Sequence, residues 1–100
     1  MLKEQTVAVI GAGNIGRALI GGMLRGSDLP AERIRATRRN PHALEELAAQ
    51  FPGIVTGTDN RAAVGDATVV VLAVKPQHAA GVLEELRGGV APDALVISVL

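Results

Sequence analysis

Apolar and polar positions follow two rhythms along this 100-residue chain. Residues 6–10 and 67–74 are nearly uninterrupted apolar runs. Such runs suit strands of a parallel sheet, which are buried on both faces. Residues 34–37, 54–56 and 94–100 predict three further strands. Between the strands, apolar residues return every three or four positions, the spacing of one helical face. Residues 14–25 place Ile15, Ala18, Leu19, Gly22 and Met23 on such a face, and Gly26-Ser27-Asp28-Leu29-Pro30 stops that helix. A second helix opens at Asn40-Pro41, carries Ala43, Leu44, Leu47, Ala48 and Phe51, and stops at Pro52-Gly53. Asn40 suits its N-cap and Pro41 its first helical position. Asp59 predicts the cap of a brief helix through Val64, and Asp66, before a short element, also reads as a cap. Residues 76–86 predict a fourth helix. The alternation predicts one α/β domain: a doubly wound parallel sheet in three layers, α/β/α, with strand order 3-2-1-4-5. The most uniformly apolar runs, within 7–10 and 69–74, should be neighbours at its centre.

The junction of the first strand and the first helix carries the chemistry. Val7-Ala8-Val9-Ile10 runs directly into Gly11-Ala12-Gly13-Asn14-Ile15-Gly16, a G-x-G-x-x-G turn that opens a helix. Strand, glycine turn and helix in this order mark a Rossmann-type dinucleotide site. The first glycine permits the tight turn. The second lets a pyrophosphate approach the backbone, and the third lets helix and strand pack closely. The helix N-terminus then presents unpaired N–H groups and a partial positive charge to the phosphates. Gly11, Ala12, Gly13, Asn14, Ile15 and Gly16 are therefore the first candidate cofactor residues.

The end of the second strand bears on which dinucleotide is bound. A free adenine ribose is usually held by an acidic residue about twenty positions past the glycine turn. Here the strand ends in Ala36-Thr37-Arg38-Arg39-Asn40, without an acid, and Glu32 lies at the wrong end of the strand. Thr37 can hydrogen-bond a phosphate oxygen, and Arg38 or Arg39 can pair with a 2′-phosphate. The expected cofactor is NADP(H), with NADPH preferred over NADH.

Composition narrows the alternatives. Lys plus Arg and Asp plus Glu number ten each, Phe51 is the only aromatic residue, and there is no cysteine. Without a basic surplus or stacking aromatics, nucleic acid is not an expected partner. Without cysteine there is no disulfide or thiolate chemistry, and two isolated histidines, His42 and His78, predict no metal site. Both histidines fall in first turns of helices and read as solvated. No apolar run has the length of a membrane span, and Met1-Leu2-Lys3-Glu4-Gln5 is polar rather than signal-like. A soluble cytoplasmic protein with no membrane partner is the expectation. No residue is singled out as a catalytic acid or base. Glu45/Glu46 and Glu84/Glu85 are adjacent helical residues, whose side chains diverge by about 100°.

Two further segments carry a resemblance. Val71-Leu72-Ala73-Val74-Lys75-Pro76-Gln77 lies at the end of the fourth strand, and Leu95-Val96-Ile97-Ser98-Val99 forms the fifth. Together with residues 10–22, including Gly21-Gly22, they resemble the pyrroline-5-carboxylate reductases. These enzymes make proline by reducing a cyclic imine with NAD(P)H. The resemblance covers the whole chain. It implies that Ala73, Val74, Lys75 and Pro76 lie along the nicotinamide side of the cofactor, and that Asn60 lies near the adenosine half. Hydride transfer to an imine asks little of protein acids, because the cofactor carries the chemistry. In the family the fifth strand usually continues with Ser and small residues, often Ala-Ala-Gly. Here Ser98 is followed by Val99 and Leu100, so Leu100 stands near an expected alanine.

The resemblance also implies a helical C-terminal domain that forms the homo-oligomer and holds a small cyclic imino acid. The chain stops at its last strand, so that domain is expected to lie outside these residues. Nothing within residues 1–100 is expected to bind substrate. Related NADP-linked oxidoreductases, of the deazaflavin-dependent or β-hydroxyacid dehydrogenase type, and a dinucleotide-sensing module without chemistry are the competing readings.

Overall fold

The computed structural model describes residues 4–99. Strands β1 (Val7–Ile10), β2 (Ile34–Thr37), β3 (Val55–Gly57), β4 (Val69–Leu72) and β5 (Leu95–Ser98) form one parallel sheet. Their order is β3-β2-β1-β4-β5, as the alternating pattern predicts. β1 and β4 are neighbours, in register from Val7 opposite Val69 to Ile10 opposite Leu72. Helices α1 (Asn14–Gly26), α2 (Pro41–Gln50), α3 (Asn60–Val64) and α4 (Pro76–Leu86) fill the crossovers.

Period-two alternation along β1 divides the core. Val7 and Val9 pack with Ile20 of α1 and Leu47 of α2 on one face. Ala8 and Ile10 pack with Val64 of α3 and with Val82 and Leu86 of α4 on the other. The sheet is therefore the middle of three layers. Strand order reverses between β2-β1 and β4, and the carboxyl ends of strands at such a switch point form the crevice of open α/β sheets.

Several boundaries differ from expectation, each for a local reason. β4 is shorter than 67–74. The Ala67 N–H closes a turn on the Val64 carbonyl before the strand begins, and Val74 leaves the sheet beside Gly11. β5 ends at Ser98 rather than at 100, although the Val99 N–H still bonds to the Leu72 carbonyl. Leu100 lies outside the described residues. β3 begins one residue later than expected and α1 runs one residue further. As the last strand of the sheet, β5 leaves Leu95, Val96 and Ile97 exposed.

Two of the three expected caps form. Asn40 accepts the His42 N–H at 2.9 Å, and Asp59 accepts the Ala62 N–H at 3.2 Å. Asp66 is not a cap. It follows α3 and pairs with Arg35, thirty-one residues away, which also donates to the Ala63 carbonyl at 3.0 Å. The guanidinium holds the Asp66 carboxyl below the usual aspartate range. Nearby, Arg33 donates to the Thr6 hydroxyl at 3.1 Å, and the Thr6 N–H donates to the Thr68 hydroxyl at 2.9 Å. The amino end of the sheet is thus cross-linked by partnered polar groups.

Candidate functional site

The three glycines of the turn have three different surroundings. Gly11 has φ +77°, a left-handed conformation that costs any L side chain energy. A Cβ there would also stand 2.6 Å from Cγ1 of Val74. At Gly16 a Cβ would stand 3.1 Å from Cγ1 of Val9 and 3.3 Å from Cβ of Ala12, so glycine lets α1 sit close to β1. At Gly13 the nearest atoms to a Cβ would be Nη1 of Arg38 at 3.8 Å and the Gly11 carbonyl oxygen at 3.9 Å. Neither the fold nor φ, at −79°, demands glycine there; what glycine provides is empty space above the backbone.

Thr37 fixes this turn. Its Oγ1 accepts the Gly11 N–H at 3.2 Å, and its carbonyl accepts the Ala12 N–H at 2.8 Å. The side chain is buried at the floor of the site, so Thr37 has a structural contact beside the phosphate contact expected of it. α1 starts at Asn14 with no acidic residue in its first turn and no side-chain cap at Gly13. α2 and α3 are capped by Asn40 and Asp59. The N–H groups at the start of α1 are left for an external acceptor, and the helix dipole favours an anion there.

Above the turn lies a cleft of about 590 Å³ at the carboxyl ends of β1, β2 and β4. Gly11, Gly13, Asn14 and Ile15 line one part of it, and Thr37, Arg38 and Arg39 another. Ala73, Val74, Lys75, Pro76 and Asn60 complete the predicted set that lines it. Ala12 and Gly16 do not: both are buried under the turn. Asn60 Nδ2 donates to Oε1 of Glu85 at 2.9 Å, which ties the start of α3 to the end of α4. The lining includes Arg38, Arg39 and Lys75 and no carboxylate, although the whole chain is neutral. The side chains of Arg39 and Lys75 carry no hydrogen bond or ion pair among the described residues. An open seat at Gly13, an uncapped helix start and unpartnered cations fit the phosphates of a dinucleotide.

The wall also contains residues that sequence reasoning left out. Asn40, Thr58, His78, Val82 and Val99 border the cleft. His78 and Val82 stand one turn apart on α4, and that i,i+4 spacing behind the Lys75-Pro76 helix start was the available signal. His78 is exposed, as expected of it, but exposed at the cleft. His42 is exposed on α2, away from it.

This fold and this cleft define a Rossmann-type α/β domain, the kind of fold that binds dinucleotides at the carboxyl ends of its strands. The chain belongs to the family described as NADP oxidoreductase, coenzyme F420-dependent, whose sequence model matches residues 6–100. It is 41% identical over 98 residues to the pyrroline-5-carboxylate reductase of Pseudomonas aeruginosa, covering 98% of this chain and 35% of that one. Among solved structures it is similar to a pyrroline-5-carboxylate reductase from Coxiella burnetii, with TM-score 0.85 and 36% identity over 95% of this chain and 35% of that one. It shares its fold with a Plasmodium falciparum pyrroline carboxylate reductase crystallised with NADP bound, at TM-score 0.80 and 19% identity, covering 98% of this chain and 34% of that one. The chain spans about a third of the length of the curated relatives it matches. Among the described residues, no helix is long and apolar enough to cross a membrane.

Proposed function

We propose that this chain is the cofactor-binding part of a cytoplasmic pyrroline-5-carboxylate reductase that uses NADPH to form L-proline. The observation that carries this reading is the gathering of the glycine turn, the arginine pair and the Ala73-Val74-Lys75-Pro76 segment around one cation-lined cleft. When bound, the nicotinamide would supply the hydride. The chain's own residues bind and orient. Gly13 and the α1 N-terminus seat the diphosphate. The cationic end of β2, which lacks an acid, accepts a phosphorylated ribose better than a free one. Asn60 stands on the adenosine side, and residues 73–76 lie along the nicotinamide. No residue of the chain is assigned to proton transfer. The imino-acid pocket and the homo-oligomer contacts belong, on this reading, to a helical domain of the kind the similar reductases carry.

The family's description supports a second reading, in which the hydride is exchanged between NADP and a deazaflavin. A chimera separates the two. This chain replaces the matched third of the Pseudomonas aeruginosa reductase, and the product is assayed for NADPH oxidation with pyrroline-5-carboxylate and for NADP reduction with reduced F420. The expected result is imine reduction by the chimera and none by residues 1–100 alone. A folded chimera that binds NADPH but reduces no imine would remove the proposal. Turnover by residues 1–100 alone would remove the assignment of the substrate pocket to another domain.

A further inference from the structure

Apolar surface gathers at the free edge of the sheet. Among the described residues six large apolar side chains are exposed, and three of them, Leu95, Val96 and Ile97, are consecutive on β5. Leu95 and Ile97 lie beside Val69 and Val71 on the α1 face of the sheet, and Val96 lies beside Val70 on the α4 face. The N–H groups of Leu95 and Val99 donate to the carbonyls of Thr68 and Leu72, at 2.9 and 3.0 Å. Alternation along the strand then turns the N–H and C=O of Val96, and the N–H of Ser98, outward to the free edge. Sheet edges that stay unpaired are commonly short, or carry lysine, proline or a bulge. The opposite edge is blunted in this way: β3 has three residues, ends in Gly57 and follows Pro52-Gly53. β5 has four residues, and positions 94–99 hold no charge, no proline and no glycine.

We propose that β5 pairs antiparallel with β5 of a second copy of this chain, about a twofold axis through Val96. A strand edge is satisfied by another extended strand, and a twofold contact needs a surface complementary to itself. β5 meets both conditions. With Val96 opposite Val96 of the second copy, each N–H donates to the other's carbonyl, a hydrogen-bonded pair. Leu95 then stands opposite Ile97 on the α1 face, on both sides of the axis. A register shifted by one residue would set side chains of opposite faces against each other. The next register, centred on Ile97, would set Val96 against Ser98. Charge permits the contact. The chain carries no net charge, and Asp93, the nearest acid, falls at opposite ends of the pairing in the two copies. The pairing uses the edge of both copies, so it closes at two. A four-residue strand is a small contact beside the roughly 1,200–2,000 Å² of a stable interface, so the dimer is weak, with a dissociation constant of about 10–500 µM.

Sedimentation of residues 1–100 from about 10 µM to 1 mM tests this, with thermal unfolding of every variant in dilute solution. Wild type should pass from monomer to dimer and go no further. Val96→Pro removes an N–H that the ladder to β4 does not use, so the sheet should stand while the dimer weakens by about tenfold or more. Val96→Thr keeps that N–H and a β-branched shape, and should dimerise within about twofold of wild type. Val96→Lys sets two like charges opposite each other, so its dimer should weaken and recover in salt. In a sample of mixed isotope labelling, intermolecular NMR contacts should join Leu95 to Ile97. A wild type that is monomeric throughout would overturn the proposal. So would a folded Val96→Pro or Val96→Lys that dimerises as wild type does, or intermolecular contacts that come from β3, a helix or another register.

Discussion

The two ends of the sheet use the same residue types to opposite effect. At the amino end, Arg33 meets the Thr6 hydroxyl, Arg35 meets Asp66 and the Ala63 carbonyl, and Thr68 meets Thr6. Every one of these polar heads has a partner, and the result is a closed rim. At the carboxyl end, among the described residues, Arg38 has one long bond to a carbonyl, the side chains of Arg39 and Lys75 have none, and the first turn of α1 has no side-chain cap. At the amino end the cations are partnered within the fold. At the carboxyl end Arg38, Arg39 and Lys75 line a cleft whose lining holds no carboxylate. An arginine's type says little about its role; whether the fold supplies its acceptor says much more.

The glycine turn draws the same contrast inside six residues, and the largest predicted effect lies there. Gly11→Ala combines a positive φ with a contact of 2.6 Å to Val74. It should cost about 2–4 kcal/mol of stability. For a domain of this size that lowers the midpoint of thermal unfolding by more than about 10 °C. A midpoint within a few degrees of wild type would show that the turn is not built as described.

The smallest effect belongs to the closed rim. The Asp66 side chain is mostly exposed, so its pairing with Arg35 is screened, and Asp66→Asn should cost no more than about 1 kcal/mol. Its pH dependence sharpens the point. The carboxyl's pKa is lowered in the folded state, so its contribution is present above the ordinary aspartate range and is lost as pH falls through the folded value. Unfolding midpoints of wild type and Asp66→Asn should differ near neutral pH and converge in acid. A gap that widens as pH falls would mean that Asp66 is not stabilised as the carboxylate.

Much of this was legible before any coordinate. The runs at Val7–Ile10 and Val69–Leu72 are neighbours inside the sheet, as their uniform apolarity predicts, and the strand order is the one expected of the strand–helix alternation behind a glycine turn. The roles of Gly11 and Gly16 follow from the motif and reappear as one positive φ and one close approach to Val9. Other features depend on long-range neighbours that no local pattern specifies. Asp66 reads as a cap from its position before a strand, and only the fold brings Arg35 to it. Thr37 offers a hydroxyl for a phosphate, but strand pairing brings Gly11 within reach of that oxygen. Arg38 and Arg39 are indistinguishable as letters; in the fold Arg38 is half-buried against the glycine turn and Arg39 is exposed on the cleft wall. Val82 belongs to an apolar helical face, and periodicity alone does not show that such a face also borders the cleft.

If the carboxyl end of the sheet seats a dinucleotide, Gly13 is the position at which binding can be broken without touching the fold. An alanine there meets nothing closer than 3.8 Å and needs no unusual φ, so the fold should tolerate it. The same methyl fills the space above the turn where a diphosphate must approach. The measurement is calorimetric titration of NADPH into wild type and Gly13→Ala, beside thermal unfolding of both. Saturable binding to wild type is expected, with a loss of about tenfold or more in Gly13→Ala and unfolding midpoints that agree to within a few degrees. A stable Gly13→Ala that binds NADPH as wild type does would contradict it.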